Sequence, residues 1–400
     1  MTDPTATLDP RTPVIVAVGQ LEQRVDDPAT AAEPTTLMAE AARLAAVDSG
    51  SDRLLDAIDT VAVVRIFSNR YSDPGALVAA DLGITTRRTI ETDEGGNYPQ
   101  SLANRAAGEI LAGQSDVWLI GGAEAWRSRT GAKAAGHWST QDPDLQPTER
   151  VTNHEKLIHP NELSRRVFMP IEFYPLFENA LRAAEGWTID EHRDRLGQLW
   201  AGFSEVAAAN PHAWIRRAYS PAQVREATPD NRMVGFPYTK VMNANNAVEQ
   251  AAAFVMCSVD KARSLGISSD RWVFPWSGAE AHEHWFVSNR WDLAEAPAIR
   301  LAGGTALELA GVDVDDLAHI DVYSCFPSAV QIAAKELGLG SDRQLTVTGG
   351  LSFAGGPWNN YVSHSIATMA DVLRADEGSV GLVTGNGGYL SKHAFGVFST

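Results

Sequence analysis

The stretch over residues 320–400 constrains the fold more than any other part of the chain. It reads IDVYSCFPSAV, then VTGGLSFAGGPWNNYVSHSIATMADVLR, then GSVGLVTGNGGYLSKHAFGVFST. Ile320, Val322 and Phe326 mark a first strand, and residues 380–383 mark a last one. Between them, residues 363–374 place Ile366, Met369, Ala370 and Leu373 on one helical face. Strand–loop–helix–strand order, with glycine or small polar residues after each apolar run, is how α/β folds build sites at strand ends.

The same alternation runs through the earlier chain. Residues 1–12 read as a loose tail and 13–18 as a buried strand. Residues 35–47 form a helix opening near Pro34, with Leu37, Ala41, Leu44 and Ala45 on one face. A β-branched strand at 58–66, a helix at 73–82 and an extended run at 88–91 follow. A glycine turn then leads into a helix at 99–112, a strand at 117–120 and a turn at Gly121-Gly122. This order favours a parallel sheet covered by helices on both faces. Residues 126–239 change character, with amphipathic helices at 175–184 and 189–209 and no interleaved strands. They read as an inserted helical domain. Beyond it lie a polar turn, an apolar run and a helix in VMNANNAVEQAAAFVMCSVDKARSLGI, a strand at 272–275 and a helical stretch from 292 to 310. The order of elements before Gly122 resembles that after Asn243, as a duplication would leave it. The expected division is a first half over 1–125 and 240–260, the insertion over 126–239, and a second half over 261–400.

A formal net charge of −17 argues against nucleic acid or an anionic membrane as the main partner. No apolar run approaches the ~20 residues that a spanning helix needs. The N-terminal MTDPTATLDPRTP carries acids and prolines where a signal peptide needs basic and then apolar residues, so the expected location is cytoplasmic. With two cysteines, Cys257 and Cys325, neither a disulfide framework nor a four-cysteine zinc site is available. His154, His159, His282 and His284 lack metal-ligand spacing, and no metal is expected.

The segments GGNYPQSLANRAAGEILAGQSDVWLIGGAEA, NANNAVEQAAAFVMCSVDKARSLGI, GGLSFAGGP and TGNGG, in that order, resemble the thiolase superfamily. PIEFYPLF and the helix after it, with Asn210, Pro211 and Ala213, resemble the loop domain of sterol-carrier-protein-type thiolases. The resemblance covers nearly the whole chain. It implies an α/β thiolase fold: two similar βαβαβαββ halves, each with a five-stranded mixed sheet, in a five-layer αβαβα arrangement with the inserted helical domain. It also implies a coenzyme A thioester as substrate or ligand with no other cofactor, and a homodimer. Longer members carry a further C-terminal domain, and aldolases of the group work with a small OB-fold partner of DUF35 type.

The chemistry departs from the family. Its nucleophilic cysteine falls on Glu94 or Gly95 here. The Gly-His-Pro loop reads Gly355-Gly356-Pro357, and the second cysteine falls on Thr384 or Gly385. Covalent thiolysis through those groups is not expected, because an acyl intermediate needs the thiolate. Tyr323, in the place of a loop histidine, reads either as a proton-transfer group or as a buried phenol bonded to a backbone carbonyl. Cys325 lies on the same side two residues on and reads as a structural thiol or an accessory group. His364 and His393 are candidate bases, and so is Glu94, which otherwise complements a helix start. Gly95, Gly96, Gly355, Gly356, Gly387 and Gly388 offer backbone N–H groups to a thioester oxygen, or are turns needing positive φ. Asn97, Asn246, Asn360 and Asn386 are candidate carbonyl contacts, Asn97 being also an N-cap. The expected function is C–C bond chemistry on a coenzyme A thioester without a covalent intermediate. The alternative is an acyl-CoA binder or scaffold.

Overall fold

The computed structural model describes residues 8–139, 144–152, 155–340 and 342–400. The first half runs β1 (Pro13–Glu22), α1 (Pro34–Ser49), β2 (Thr60–Val63), α2 (Pro74–Leu82), β3 (Arg88–Thr92), α3 (Tyr98–Leu111) and β4 (Val117–Ala125). The insertion holds α4 (Arg129–Ala135), β5 (Glu149–Val151), α5 (Pro160–Ser164), α6 (Pro170–Ala184), α7 (Ile189–Ala209), α8 (Pro221–Arg225), β6 (Met233–Gly235) and β7 (Tyr238–Thr239). Then come β8 (Glu249–Ser258), α9 (Val259–Ser264), β9 (Phe274–His282), α10 (Pro297–Ala310) and β10 (Leu317–Asp321). The chain closes with α11 (Pro327–Leu337), α12 (Gly350–Phe353), α13 (Tyr361–Ala375), β11 (Val380–Gly387) and β12 (Lys392–Ser399).

The first sheet has the order β1-β8-β4-β2-β3-β5 and the second β10-β11-β12-β9. In both, an antiparallel pair (β4–β8, β11–β12) is followed by another antiparallel pair (β8–β1, β12–β9) and flanked by a parallel one (β2–β4, β10–β11). The duplication inferred from the order of elements is therefore explicit in the pairing. The halves join where Ile15 and Val273 exchange backbone hydrogen bonds of 2.8 and 3.0 Å. Helices α3 and α13 form the middle layer, each touching strands of both sheets. Ile15, Leu102, Phe254, Ile366, Leu373, Val383 and Phe398 share the core between them. Strand β8 is buried on both faces and correspondingly reads as a run of alanines and larger apolar residues.

Four local expectations are corrected. Two five-stranded sheets were expected; among the described residues there are six strands and four. The extra strand is β5, which pairs with the outer edge of β3 and is pinned by Arg105 on Glu149 (2.5 and 2.9 Å). The missing strand would cover Leu345–Val347, which keeps one ladder bond, from the Val322 N–H to the Leu345 carbonyl (2.9 Å). The Thr346 hydroxyl and the Val347 and Thr348 N–H groups turn instead onto the buried Asp321 carboxylate, at 2.7, 3.0 and 3.3 Å. Gly121-Gly122 is not a turn but the middle of β4, where a Cβ on Gly121 would run into the Ala252 carbonyl and Ala253 of β8. Phe326 does not extend the first strand; it precedes α11, whose Pro327 occupies the first helical turn. Helix α6 begins at Pro170 and carries Pro175 inside it.

Candidate active site

The N-terminus of α3, the end of β11 and the segment after β10 meet at one point. A Cβ on Gly387 would lie 3.1 Å from the Gly95 Cα, and one on Gly385 would lie 2.9 Å from the Asn97 Cα. Only glycine permits this approach of backbones. Tyr323 follows β10, is 8% exposed, and turns its hydroxyl onto Gly96, where any side chain would overlap it. Its N–H donates to Thr384 Oγ1 (2.9 Å), while its hydroxyl has no hydrogen-bond partner among the described residues. Burial raises the phenol well above its ordinary pKa, so it holds its proton and acts as a donor.

On the outer side of the same strands lies a cavity of about 10 Å³, lined by Tyr323, Thr384, Gly385, Asn386, Leu390 and His393. That is roughly the space of one water. Asn386 Oδ1 and His393 Nε2 are buried without partners, which is where an ordered water would bind. Asn386 Nδ2 donates to the Tyr174 hydroxyl (3.0 Å) and approaches Cys325 Sγ (3.8 Å). Tyr174, from α6, is fully buried, stacks on Phe326 with ring centroids 4.3 Å apart, and accepts from the Leu390 N–H at 3.3 Å. The insertion thus closes the site from outside. Arg290 fixes the last loop by donating to the Tyr389 and Leu390 carbonyls, both at 2.9 Å.

Tyr323, Gly95, Gly96, Asn97, Asn386 and Gly387 are brought together, and Cys325 and Gly388 border them. Asn97 does not cap α3: its Nδ2 donates to Ser101 (3.2 Å) and its Oδ1 is buried without a partner against Gly95 and Gly387. Glu94, the candidate base, points its side chain to solvent, and only its carbonyl turns inward, onto Lys392. His364 is corrected as a site residue. It lies between α13 and β1, donates through Nδ1 to Gln20 Oε1 (2.8 Å), and is pushed down to about 3 by burial and then by His212. Asn360 spends its amide on the Gly122 carbonyl (2.6 Å) and its oxygen on the Ser363 hydroxyl (2.7 Å). Asn246 holds the Gly356 carbonyl (3.0 Å), so it braces a loop. The Gly95 N–H is taken by Asn359 Oδ1 (2.8 Å) and the Gly356 N–H by the Asn245 carbonyl (2.9 Å), so neither is available to an oxyanion as placed. At Gly355 a Cβ would strike Gln250, which explains the glycine without a ligand. Asn210 of the Asn-Pro-x-Ala element donates to the Thr348 carbonyl (2.9 Å) and thereby seats the glycine loop after it. Among the described residues no group of three or more His, Cys, Asp or Glu could hold a metal; His154 lies outside them.

The His364 geometry gives a pH prediction. A histidine held neutral in the folded chain but free to protonate when unfolded gives the unfolded chain more bound protons below pH ~6.5, so stability falls as pH falls. One such group contributes about 1.4 kcal/mol per pH unit. His364→Gln, which keeps a donor for Gln20, should flatten the stability–pH slope between pH 6 and 4 by that amount in urea titrations. An unchanged slope would show that His364 protonates freely in the fold.

One buried residue went unnoticed in the sequence. Lys392, at the start of β12, is 6% exposed and reaches inward over the Tyr98 ring (4.8 Å) to the Glu94 carbonyl (2.5 Å). A Cβ on Gly95 would lie 2.8 Å from its Nζ, and one on Gly387 2.9 Å from its Cε. Burial pulls its pKa down to about 8 against the opposing pull of Glu94 and Asp93.

A structure of the monomeric SCP2-thiolase-like protein type 1 from Mycobacterium smegmatis is 34% identical to this chain, with a TM-score of 0.83, over 98% of this chain and 78% of that one. The chain belongs to the SCP2-thiolase-like family. The Ltp2–ChsH2(DUF35) aldolase shares the fold at 18% identity and a TM-score of 0.73, over 98% of each chain. No family model and no curated protein matches the chain.

As an SCP2-thiolase-like chain it lacks a nucleophilic thiolate where the superfamily pattern requires one. Cys325 is half-buried, but its sulfur faces Tyr174 and Asn386, and burial pushes the thiol up to about 12. Such a thiol stays protonated at neutral pH. After incubation with acetoacetyl-CoA, intact-mass measurement should return the unmodified chain. A stable acyl adduct on Cys325 would contradict this.

Proposed function

We propose that the chain performs carbon–carbon bond chemistry of aldol type on a coenzyme A thioester, without an acyl-enzyme. The observation that carries this reading is the Tyr323 hydroxyl, held against Gly96 at the start of α3 with no hydrogen-bond partner among the described residues. A protonated phenol there can donate to a substrate oxygen that develops charge. The family fold favours a thioester as the group presented to that point. The solved aldolase of the same fold is named with a DUF35 component, and a small partner of that type is part of our reading. The M. smegmatis relative is described as monomeric, and β5 already occupies the outer edge of β3. We therefore read a monomer in place of the dimer expected from the superfamily. Size-exclusion chromatography with light scattering tests that point.

The test of the activity is turnover of a panel of β-hydroxyacyl-CoA esters, with and without a DUF35-type protein, following release of an aldehyde or ketone. Release supports the reading, and its absence with every ester favours the second one. That second reading, a non-catalytic acyl-CoA binder or scaffold, is favoured by the small space at Tyr323, about 10 Å³. A groove of about 1250 Å³ between α7, α11 and α13 lies elsewhere and includes none of the glycine-loop residues.

A further inference from the structure

We infer that Lys392 is the proton acceptor of this site, taking the place that a nucleophilic side chain at residue 95 would occupy. The inference rests on the thioester reading above.

Lys392 is one of six lysines in the chain, and the other five (Lys133, Lys156, Lys240, Lys261 and Lys335) are exposed or half-exposed. It alone turns inward. Its Nζ donates to a single carbonyl, that of Glu94, and rests on the Tyr98 ring. Its Cε fills the space above Gly387, and its Nζ lies where a side chain on Gly95 would begin. The amine also stands at the N-terminus of α3, the positive end of the helix, which disfavours an ammonium there. The charged and titratable groups facing it are Asp93 and Glu94 before α3 and Tyr98 on α3; Glu280 of β9 acts on Tyr98, and His282 stands opposite Lys392 in the β9–β12 ladder. The two carboxylates before α3 favour the ammonium and burial opposes it; burial is the larger effect. A neutral amine is therefore accessible near neutral pH, as a general base requires.

Tyr323 and Lys392 lie against the consecutive glycines 96 and 95. The phenol is the resting form of Tyr323 and the neutral amine is within reach for Lys392 near its pKa of about 8, and these are the forms that bond formation needs. The amine takes the α-proton of the thioester, and the C–H electron pair becomes the enolate. The enolate carbon attacks an aldehyde or ketone carbon. The π pair moves to the carbonyl oxygen, which takes the Tyr323 proton, and the ammonium then returns its proton to the tyrosinate directly or through water. No external oxidant or covalent adduct is needed.

The experiment has an arm that does not depend on turnover and one that does. In the first, trace labelling of the native chain with isotopic acetic anhydride across pH 6–10 is read by mass spectrometry at each lysine. Lys392 should titrate about two pH units below the exposed lysines. If it titrates with them, or stays unlabelled throughout, the inference is overturned whether or not thioesters bind. In the second, propionyl-CoA is incubated in D₂O with wild type and with Lys392→Met, and α-deuteration is followed alongside calorimetric binding. The methionine removes the amine and keeps the stem, and thermal melting confirms that the variant is folded. Exchange should fall ~100-fold or more, in the range for loss of a general base, with binding retained. Binding with equal exchange in both chains, or with none in either, overturns the role of Lys392 and leaves the thioester reading standing. No binding by any CoA ester removes that reading and the base role together.

Discussion

Asp321→Ala is expected to destabilise the chain by roughly 4 kcal/mol in chemical denaturation, the largest effect of any single side chain near the site. The carboxylate is fully buried at the end of β10. It accepts six hydrogen bonds: from the Thr346, Thr348, Tyr361 and Ser365 hydroxyls and from the Val347 and Thr348 N–H groups. Burial alone raises its pKa, while these donors favour the charged form. Truncation would leave those donors facing an apolar void, and each unsatisfied donor costs about 1–3 kcal/mol before the site relaxes. The loop over 346–350, which leads into Gly355-Gly356, would loosen with it. A loss below about 1 kcal/mol would show that water or local repacking satisfies the donors.

Tyr323→Phe is expected to lower turnover by ~100- to 10,000-fold, the range for loss of a proton-transfer group, with little change in stability. The expectation about stability follows from the geometry, because the hydroxyl has no described partner to orphan. A melting temperature within a few degrees of wild type, together with lost turnover, separates chemistry from folding. Undiminished turnover at equal stability would remove Tyr323 from the mechanism.

The sequence exposed those features whose cause is local. Glycine loops after apolar runs and the helix at 189–209 are legible because turn chemistry and a 3.6-residue period act over a few positions, whereas the Asn-Pro-x-Ala element is legible only through its resemblance to the thiolase loop domain. Tyr323 was legible because a strand end fixes where its side chain goes. Lys392 was not, since a lysine opening a terminal strand reads as a solvated edge residue. Its neighbours Glu94, Gly95 and Tyr98 lie at the far end of the sequence, 298 residues away for Glu94. The misplacement of His364 has a related cause: its helix was read correctly, but the face bearing it packs on β1, away from the glycine loops. Gly121-Gly122 carried a turn signal that the close approach of β8 overrode. Asp321 gave no local sign of its role, because its six donors all come from residues 346–365.

Whether the glycine loops around Tyr323 and Lys392 receive a thioester decides the chemistry proposed for both residues. Calorimetric titration of the chain with a β-hydroxyacyl-CoA, alone and with a DUF35-type partner, is the direct measurement. A saturable heat for the ester, accompanied by a rise in melting temperature that grows with ligand concentration, is the predicted result. The absence of any heat, with this ester or with acetyl-, propionyl- or acetoacetyl-CoA, would contradict it.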